Sequence, residues 1–321
     1  MNICILGTGN VTKLLMPAFA ASDVFNCRAV VSRREETGRA FAREWDVPLV
    51  YTSLEKMLAD PTIDLVYVAS PNSLHYEQTK ASLLAGKHVL CEKPFAPTAA
   101  EAEELIRIAK EKGLFLFEAI TTAHHPHYGL IKEKLASLGK LKLVNATFCQ
   151  YSSRYPALLE GKVSPILDPA YQGGALMDIN LYNIHFVVGL FGSPKALSYR
   201  ANLHSNGVDT SGILTLEYPE LLCQCVGAKD CTAPNSVQIL GEKGYLEVLP
   251  TSSNPQTLKL WLRGREPEVY TLEKDAWYYE IQAIGRIIRN RDFAACYAAL
   301  DTTYRVVTVL ENARKDAGLS F

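Results

Sequence analysis

The stretch GKHVLCEKPFA, residues 86–96, decides how the first part of the chain is read. His88, Val89, Leu90 and Cys91 form a short apolar run, opened by Gly86-Lys87 and stopped by Pro94, and such a run reads as a buried strand. Glu92 and Lys93 fall where that strand runs out. In an open parallel sheet, ligands bind in the crevice outside the carboxyl ends of the strands, so a lysine held there is placed for chemistry. Pro94 fixes its own φ and keeps Lys93 out of the helical region, which stiffens the backbone under the amine. Taken alone, a solvated lysine before a turn proline is the simpler reading. The neighbouring segments have to overturn it.

Upstream, residues 2–7 read as a strand that Gly7-Thr8-Gly9-Asn10 turns into a helix over about 11–21. A Gly-x-Gly between strand and helix is a phosphate cradle: glycine admits the pyrophosphate to the backbone, and the helix N-terminus meets its charge. Gly7, Thr8, Gly9, Asn10 and Val11 are therefore candidate cofactor contacts, although Thr12 stands where the full fingerprint has Gly or Ala. The second strand, CRAVVS at 27–32, ends in Ser32-Arg33-Arg34, with no acid to hold the ribose 2′-hydroxyl of NAD. A hydroxyl and two guanidinium groups suit a 2′-phosphate, which favours NADP over NAD. The competing reading makes Arg33 and Arg34 the solvated start of the next helix, beside Glu35 and Glu36.

The alternation continues with a helix over 35–45, strands at 49–51 and 63–69, a helix from 75 to 85, and the strand of the opening stretch. A helix over 98–112, ended by Gly113, leads to a last strand at 114–117 that ends in Glu118. Strands alternating with helices at this spacing predict a doubly wound parallel sheet over residues 1–120. Ser70-Pro71-Asn72 and Glu118 lie at its carboxyl edge and join the candidate cofactor contacts, as do Glu92, Lys93 and His75. His75 itself reads first as a packing or capping residue of the loop.

Composition narrows the function class. A net charge of −1 over 321 residues supplies no basic field for nucleic acid. No continuous apolar run of membrane-spanning length appears, and the N-terminus enters strand-like sequence without a signal-peptide layout, so a cytoplasmic protein is expected. The eight cysteines lie mostly inside apolar runs, at spacings that suit neither a zinc site nor a redox pair, and no metal is expected.

From residue 121 the pattern changes. A helix near 127–138 precedes eight segments with strand alternation: 144–151, 197–203, 212–218, 222–227, 236–240, 245–249, 258–262 and 268–272. Runs of strands joined by short turns predict a second, α+β domain over 121–321 with a large, mostly antiparallel open sheet. Helices at 179–191, 276–290 and 298–316 are expected on one face, with the last free to return to the first domain. The other face needs cover, which predicts a homodimer or homotetramer formed through this sheet.

With the glycine turn, Ser70-Pro71-Asn72 followed by His75, residues 86–94, and GGALMDINLYNIH at 173–185, the chain resembles the Gfo/Idh/MocA family of nicotinamide-dependent oxidoreductases. The resemblance covers nearly the whole chain and implies a Rossmann domain followed by a substrate-binding domain. It implies that Lys93 contacts substrate and aids proton transfer, that Asp178 contributes to the substrate site, that Tyr182 is the acid/base, and that His185 is a further polar position. It also implies that the Lys-Pro peptide is often cis. The segment 119–126, AITTAHHP, lacks the aromatic and arginine that many members carry there, which puts the usual substrate contacts in question.

Asp178, Tyr182 and His185 are spaced i, i+4, i+7, which places them on one helical face among buried apolar neighbours. The reaction implied is hydride transfer between a nicotinamide and a carbinol carbon of a sugar, cyclitol or related polyol or diol. A free phenol titrates near pH ~10, and an adjacent ammonium such as that of Lys93 lowers it toward a working base. The alternative is a catalytically silent NAD(P)-binding regulatory or sensor protein of the same fold. Such a protein needs the glycine turn but not Lys93, Asp178 and Tyr182 together.

Overall fold

The computed structural model describes residues 1–319. Two compact units are present: Met1–Ala119 with Trp277–Tyr304, and Ile120–Ala276 with residues 305–319.

The first unit is built on six parallel strands: β1 (Asn2–Leu6), β2 (Asn26–Val31), β3 (Leu49–Tyr51), β4 (Leu65–Val68), β5 (His88–Glu92) and β6 (Leu116–Ala119), in the order β3-β2-β1-β4-β5-β6. The order reverses direction at β1, where β4 pairs on the opposite side from β2. A doubly wound sheet binds its ligand at such a switch point. β5 is paired along both edges, by β4 and β6, and successive residues Val89, Leu90 and Cys91, which alternate between the two faces of the sheet, are all apolar and buried, so both faces are covered. Helices Asn10–Ala20, Glu35–Glu44, Leu54–Leu58, His75–Leu84 and Ala99–Lys112 connect the strands. The last starts at Thr98, whose hydroxyl oxygen accepts the Glu101 N–H at 3.2 Å, and ends at Gly113 with φ of 63°. The strand expected at 114–117 runs instead over Leu116–Ala119, so Glu118 stands inside it and is buried.

The second unit carries eight strands: β7 (Leu141–Cys149), β8 (Ala196–Leu203), β9 (Asp209–Glu217), β10 (Leu222–Ala228), β11 (Ser236–Gly241), β12 (Gly244–Leu249), β13 (Thr257–Leu262) and β14 (Glu268–Thr271). Their order is β14-β13-β12-β11-β7-β10-β9-β8, antiparallel throughout except for the β7–β10 pair. Its core is formed by Val144, Ala146, Leu214, Leu216, Cys223, Cys225, Val237 and Ile239 from the strands, packed with Leu181, Ile184 and Val188 of the helix Leu181–Phe191.

Three expectations change. The helix Ala276–Arg289 does not cover the second sheet: Ile281, Ile284 and Ile288 belong to the core of the first unit, with Phe19, Phe25 and Phe117. An apolar stripe declares that a helix is buried, not which core receives it. The last helix, Phe293–Asp316, begins earlier than expected and serves both cores, Cys296 in the first unit and Val306, Val309, Leu310 and Ala313 in the second. One stretch, Pro169–Phe191, is long and apolar enough by composition to cross a membrane, but 72% of its apolar window is buried in the fold, as in a core helix.

Candidate functional site

The carboxyl edge of the first sheet collects the first set of predicted residues. Gly7 has φ of 118°, and a Cβ there would stand 2.4 Å from the Ala69 carbonyl oxygen, so only glycine allows β1 and β4 to end side by side. Gly9 caps the helix Asn10–Ala20 without a side-chain cap, and the space where its Cβ would project is open. No acid occupies the first turn of that helix, whose free N–H groups therefore face the open space with their positive end. This cradle fits a pyrophosphate. Thr12, the departure from the fingerprint, is buried and donates its hydroxyl to the Gly7 carbonyl at 3.3 Å, so it braces the turn from beneath and leaves the cradle clear.

Ser32 is buried at the end of β2, while Arg33 and Arg34 are exposed. Glu35 pairs with Arg39 instead of either of them, at 2.5 Å. The two guanidinium groups next to the cradle's second strand are thus left available to an anion.

His75 does not face the cradle. It is 1% exposed, with Nδ1 at 2.9 Å from the Pro94 carbonyl oxygen and Nε2 at 2.9 Å from that of Ser70. Burial holds its pKa below the ordinary value. The ring ties the loop carrying Ser70-Pro71-Asn72 to the cis Lys93–Pro94 peptide, so it positions both segments from behind. Glu92 and Glu118 also turn inward: the Tyr67 hydroxyl donates to Glu92 Oε1 at 2.5 Å and the Thr303 hydroxyl to Glu118 Oε2 at 2.8 Å. Lys93 stays partly exposed at the same edge.

The second unit holds the other set. Its central feature is a π-helical turn, Leu176–Asn180, which runs directly into the helix Leu181–Phe191. Single π turns inside helices are frequent at functional sites. The turn is fastened by Asp209, whose Oδ2 accepts the Leu176 N–H and the Tyr199 hydroxyl, both at 2.7 Å. Burial raises the Asp209 carboxyl above its ordinary pKa, against those two bonds. On the sheet side, Asn180 donates to the Cys225 carbonyl at 3.1 Å and Asn183 to the Val226 carbonyl at 3.0 Å. Gly227 makes this approach possible, since a Cβ there would stand 2.5 Å from that of Asn180.

Asp178 and Tyr182 are both partly exposed, whereas His185 is 2% exposed. Asp178 falls within the π turn, ahead of the helix that carries Tyr182 and His185, and of the three only His185 is buried. Tyr182 lies against Phe148, ring centroids 6.0 Å apart. Asp178 forms an ion pair with Lys229, a residue the sequence reading passed over. The departing segment 119–126 is also explained: it forms the short helix Thr121–His124, whose Thr121 and Thr122 hydroxyls donate to the Ser253 and Ser252 carbonyls at 2.7 and 2.9 Å. Its polar residues hold a loop. No cluster of His, Cys, Asp and Glu suited to a metal occurs among the described residues.

Comparison with known proteins accords with this arrangement. Residues 1–120 match the profile described as oxidoreductase family, NAD-binding Rossmann fold, and residues 131–247 match the GFO/IDH/MocA C-terminal domain. The chain is 33% identical over 323 residues to the scyllo-inositol 2-dehydrogenase (NADP(+)) IolU of Bacillus subtilis, covering 100% of this chain and 98% of that one. It is 29% identical over 308 residues to the trans-1,2-dihydrobenzene-1,2-diol dehydrogenase of Homo sapiens, covering 91% and 89%. Among solved structures, KijD10, a 3-ketoreductase from Actinomadura kijaniata in complex with TDP-benzene and NADP, superposes with a TM-score of 0.83 at 22% identity, covering 99% and 98%. Two matched domains in the expected order and a full-length relative above 30% identity place the chain in the Gfo/Idh/MocA family of NAD(P)-dependent oxidoreductases.

Proposed function

We propose that this protein is an NADP(H)-preferring oxidoreductase acting on a secondary alcohol of a cyclitol, sugar or related diol, with the reverse reduction of the ketone. The observation that carries the reading is the partly exposed pair Asp178, on a π turn fastened by Asp209 and by a β10 carbonyl, and Tyr182, in the first turn of the helix that follows it, which is an expensive way to hold two polar groups unless their placement matters. The dinucleotide, when bound, supplies the hydride acceptor or donor. Gly7, Thr8, Gly9, Asn10 and Val11 would hold its pyrophosphate, and Ser32, Arg33 and Arg34 its 2′-phosphate. Tyr182 exchanges the hydroxyl proton of the substrate at its phenolic oxygen. Asp178 accepts a hydrogen bond from a substrate hydroxyl and so orients the reacting carbon. Lys93 is a further substrate-directed group, and His185 supports the helix from inside. IolU and the dihydrodiol dehydrogenase, named for oxidation of a cyclitol and a diol, favour an enzyme over a silent sensor.

Self-association through the open face of the second sheet, as a homodimer or homotetramer, and a cytoplasmic setting complete the proposal. A row of paired residues, Trp261–Tyr245–Leu240–Leu143–Leu222, crosses that face. Leu143 and Leu222 are 43% and 50% exposed, too apolar a ridge for a strand face left in water. The eight cysteines are all free thiols, which suits a reducing compartment.

The cofactor assignment is tested by fluorescence titration of wild type and Arg33→Ala with NADPH and NADH. Wild type should bind NADPH more tightly, and the substitution should weaken NADPH by roughly 10-fold while sparing NADH, the loss of one charge-assisted hydrogen bond. Equal effects on the two cofactors would return Arg33 to the solvated helix start.

A further inference from the structure

Lys229 sits one residue past β10, and its side chain is 6% exposed. Both its backbone groups are committed: its N–H donates to the Thr210 carbonyl at 2.8 Å, and its carbonyl accepts the Ser152 N–H at 2.8 Å. The Cα is therefore fixed between two neighbouring segments, and only the stem is left to choose a direction. It runs inward, in phase with Cys223, Cys225 and Gly227 on the core face of the strand, and ends at Asp178 Oδ2. Asp209, the other buried acid near this ammonium, already spends its Oδ2 on the Leu176 N–H and the Tyr199 hydroxyl. The pairing is unequal: the lysine is interior, whereas the side chain of Asp178 keeps 18% of its surface accessible.

Desolvating a lysine costs about as much as the attraction returns, so a buried ion pair is a weak stabilising device. What it does supply is direction. An ammonium fixed from the sheet side holds one carboxylate oxygen and so sets the orientation of the whole group, whose side chain remains partly accessible. Gly227, two residues earlier, lets the π turn settle on the same strand, so the strand that supports the turn also delivers the cation.

We infer that Lys229 is a positioning residue of the substrate site, acting through Asp178: its buried ammonium holds the Asp178 carboxylate in the orientation that receives a substrate hydroxyl. This rests on the reading of Asp178 as a substrate contact. A cyclitol or sugar presents a hydroxyl donor to that carboxylate, so the pair favours polyhydroxylated substrates.

The test is a double-mutant cycle with Lys229→Met, Asp178→Asn and the two combined, measured as KM and kcat for a polyol that the wild type turns over, together with NADPH affinity. Lys229→Met should raise KM by roughly 10–100-fold, the cost of misplacing a charged hydrogen-bond partner, with NADPH affinity within about 2-fold of wild type. In the combined variant Lys229→Met should add nothing to Asp178→Asn, because the lysine works through a carboxylate that is gone. A KM unchanged by Lys229→Met, or a full additive loss in the combined variant, would overturn the inference. If Asp178→Asn itself leaves KM unchanged, the substrate role of Asp178 fails first, and that is distinguishable because cofactor-dependent turnover persists. Should Lys229→Met not fold, Lys229→Gln, shorter and uncharged and so unable to hold the carboxylate as the ammonium does, takes its place, and the same KM criterion applies to it.

Discussion

At the scale of single residues, the edge of the first sheet is governed by burial of carboxyl groups. Desolvation pushes the Glu92 carboxyl up to about 7, against the Tyr67 hydrogen bond and the Lys93 charge, with Glu118 adding to the rise. The folded chain thus holds this proton more tightly than the unfolded chain, where the group titrates near 4.5. Its contribution to stability is complete below about pH 4.5 and is lost as pH rises through about 7. A melting series from pH 4.5 to 8 on wild type and Glu92→Gln checks this, since Gln cannot titrate. Wild type should lose up to about 1.4 kcal/mol per pH unit relative to the variant across that window. Parallel curves would mean that Glu92 is ionised throughout. Lys93 and Glu92 were legible as the end of a strand because an apolar run followed by charge and proline has one reading. That Glu92 turns inward was not legible, because the partner hydroxyl of Tyr67 lies 25 residues away on another strand. Lys229 escaped for the opposite reason. It continues the inward phase of Cys223 and Cys225, and a charged residue in phase with a buried face was the available signal.

At the scale of elements, local chemistry announced itself wherever it was self-contained. The glycine turn, the Thr98 cap and the Gly113 stop all act within a few residues of chain, and the helices they bound fall within a residue of their expected positions. Strands β8 to β14 were legible from alternation, since one face of that sheet is buried and the other is not. The π turn was not. Nothing in LMDIN distinguishes it from an α-helical turn, and it exists because Asp209 and the carbonyls of β10 hold it from outside. The expected polar stripe of Asp178, Tyr182 and His185 assumed a constant period through that turn, within which Asp178 lies. The destination of Ala276–Arg289 failed for a related reason: periodicity encodes a face, and two cores were available to receive it.

At the scale of the whole molecule, the succession of a doubly wound sheet and a broad, mostly antiparallel sheet was legible from the change of period near residue 120. The open face of the second sheet bears on assembly. Leu222→Glu places a charge at the exposed end of the row Tyr245–Leu240–Leu143–Leu222. Sedimentation of wild type at micromolar concentration should show a dimer or larger species, and the substituted protein should move toward monomer with its melting temperature little changed. A wild type that sediments only as monomer would remove the proposed interface.

We propose that the second unit supplies the proton-transfer group, Tyr182, for a nicotinamide-dependent reaction at a carbinol carbon. Steady-state turnover of wild type and Tyr182→Phe with NADP(H) across a panel of cyclitols, sugars and diols tests it most directly, with NADPH affinity measured on both. The account predicts turnover by wild type on at least one polyhydroxylated substrate. It also predicts a fall of roughly 10²–10⁴-fold in kcat for Tyr182→Phe at near wild-type cofactor affinity. Equal turnover by the two proteins, or tight NADPH binding by wild type with no turnover on any member of the panel, would contradict it.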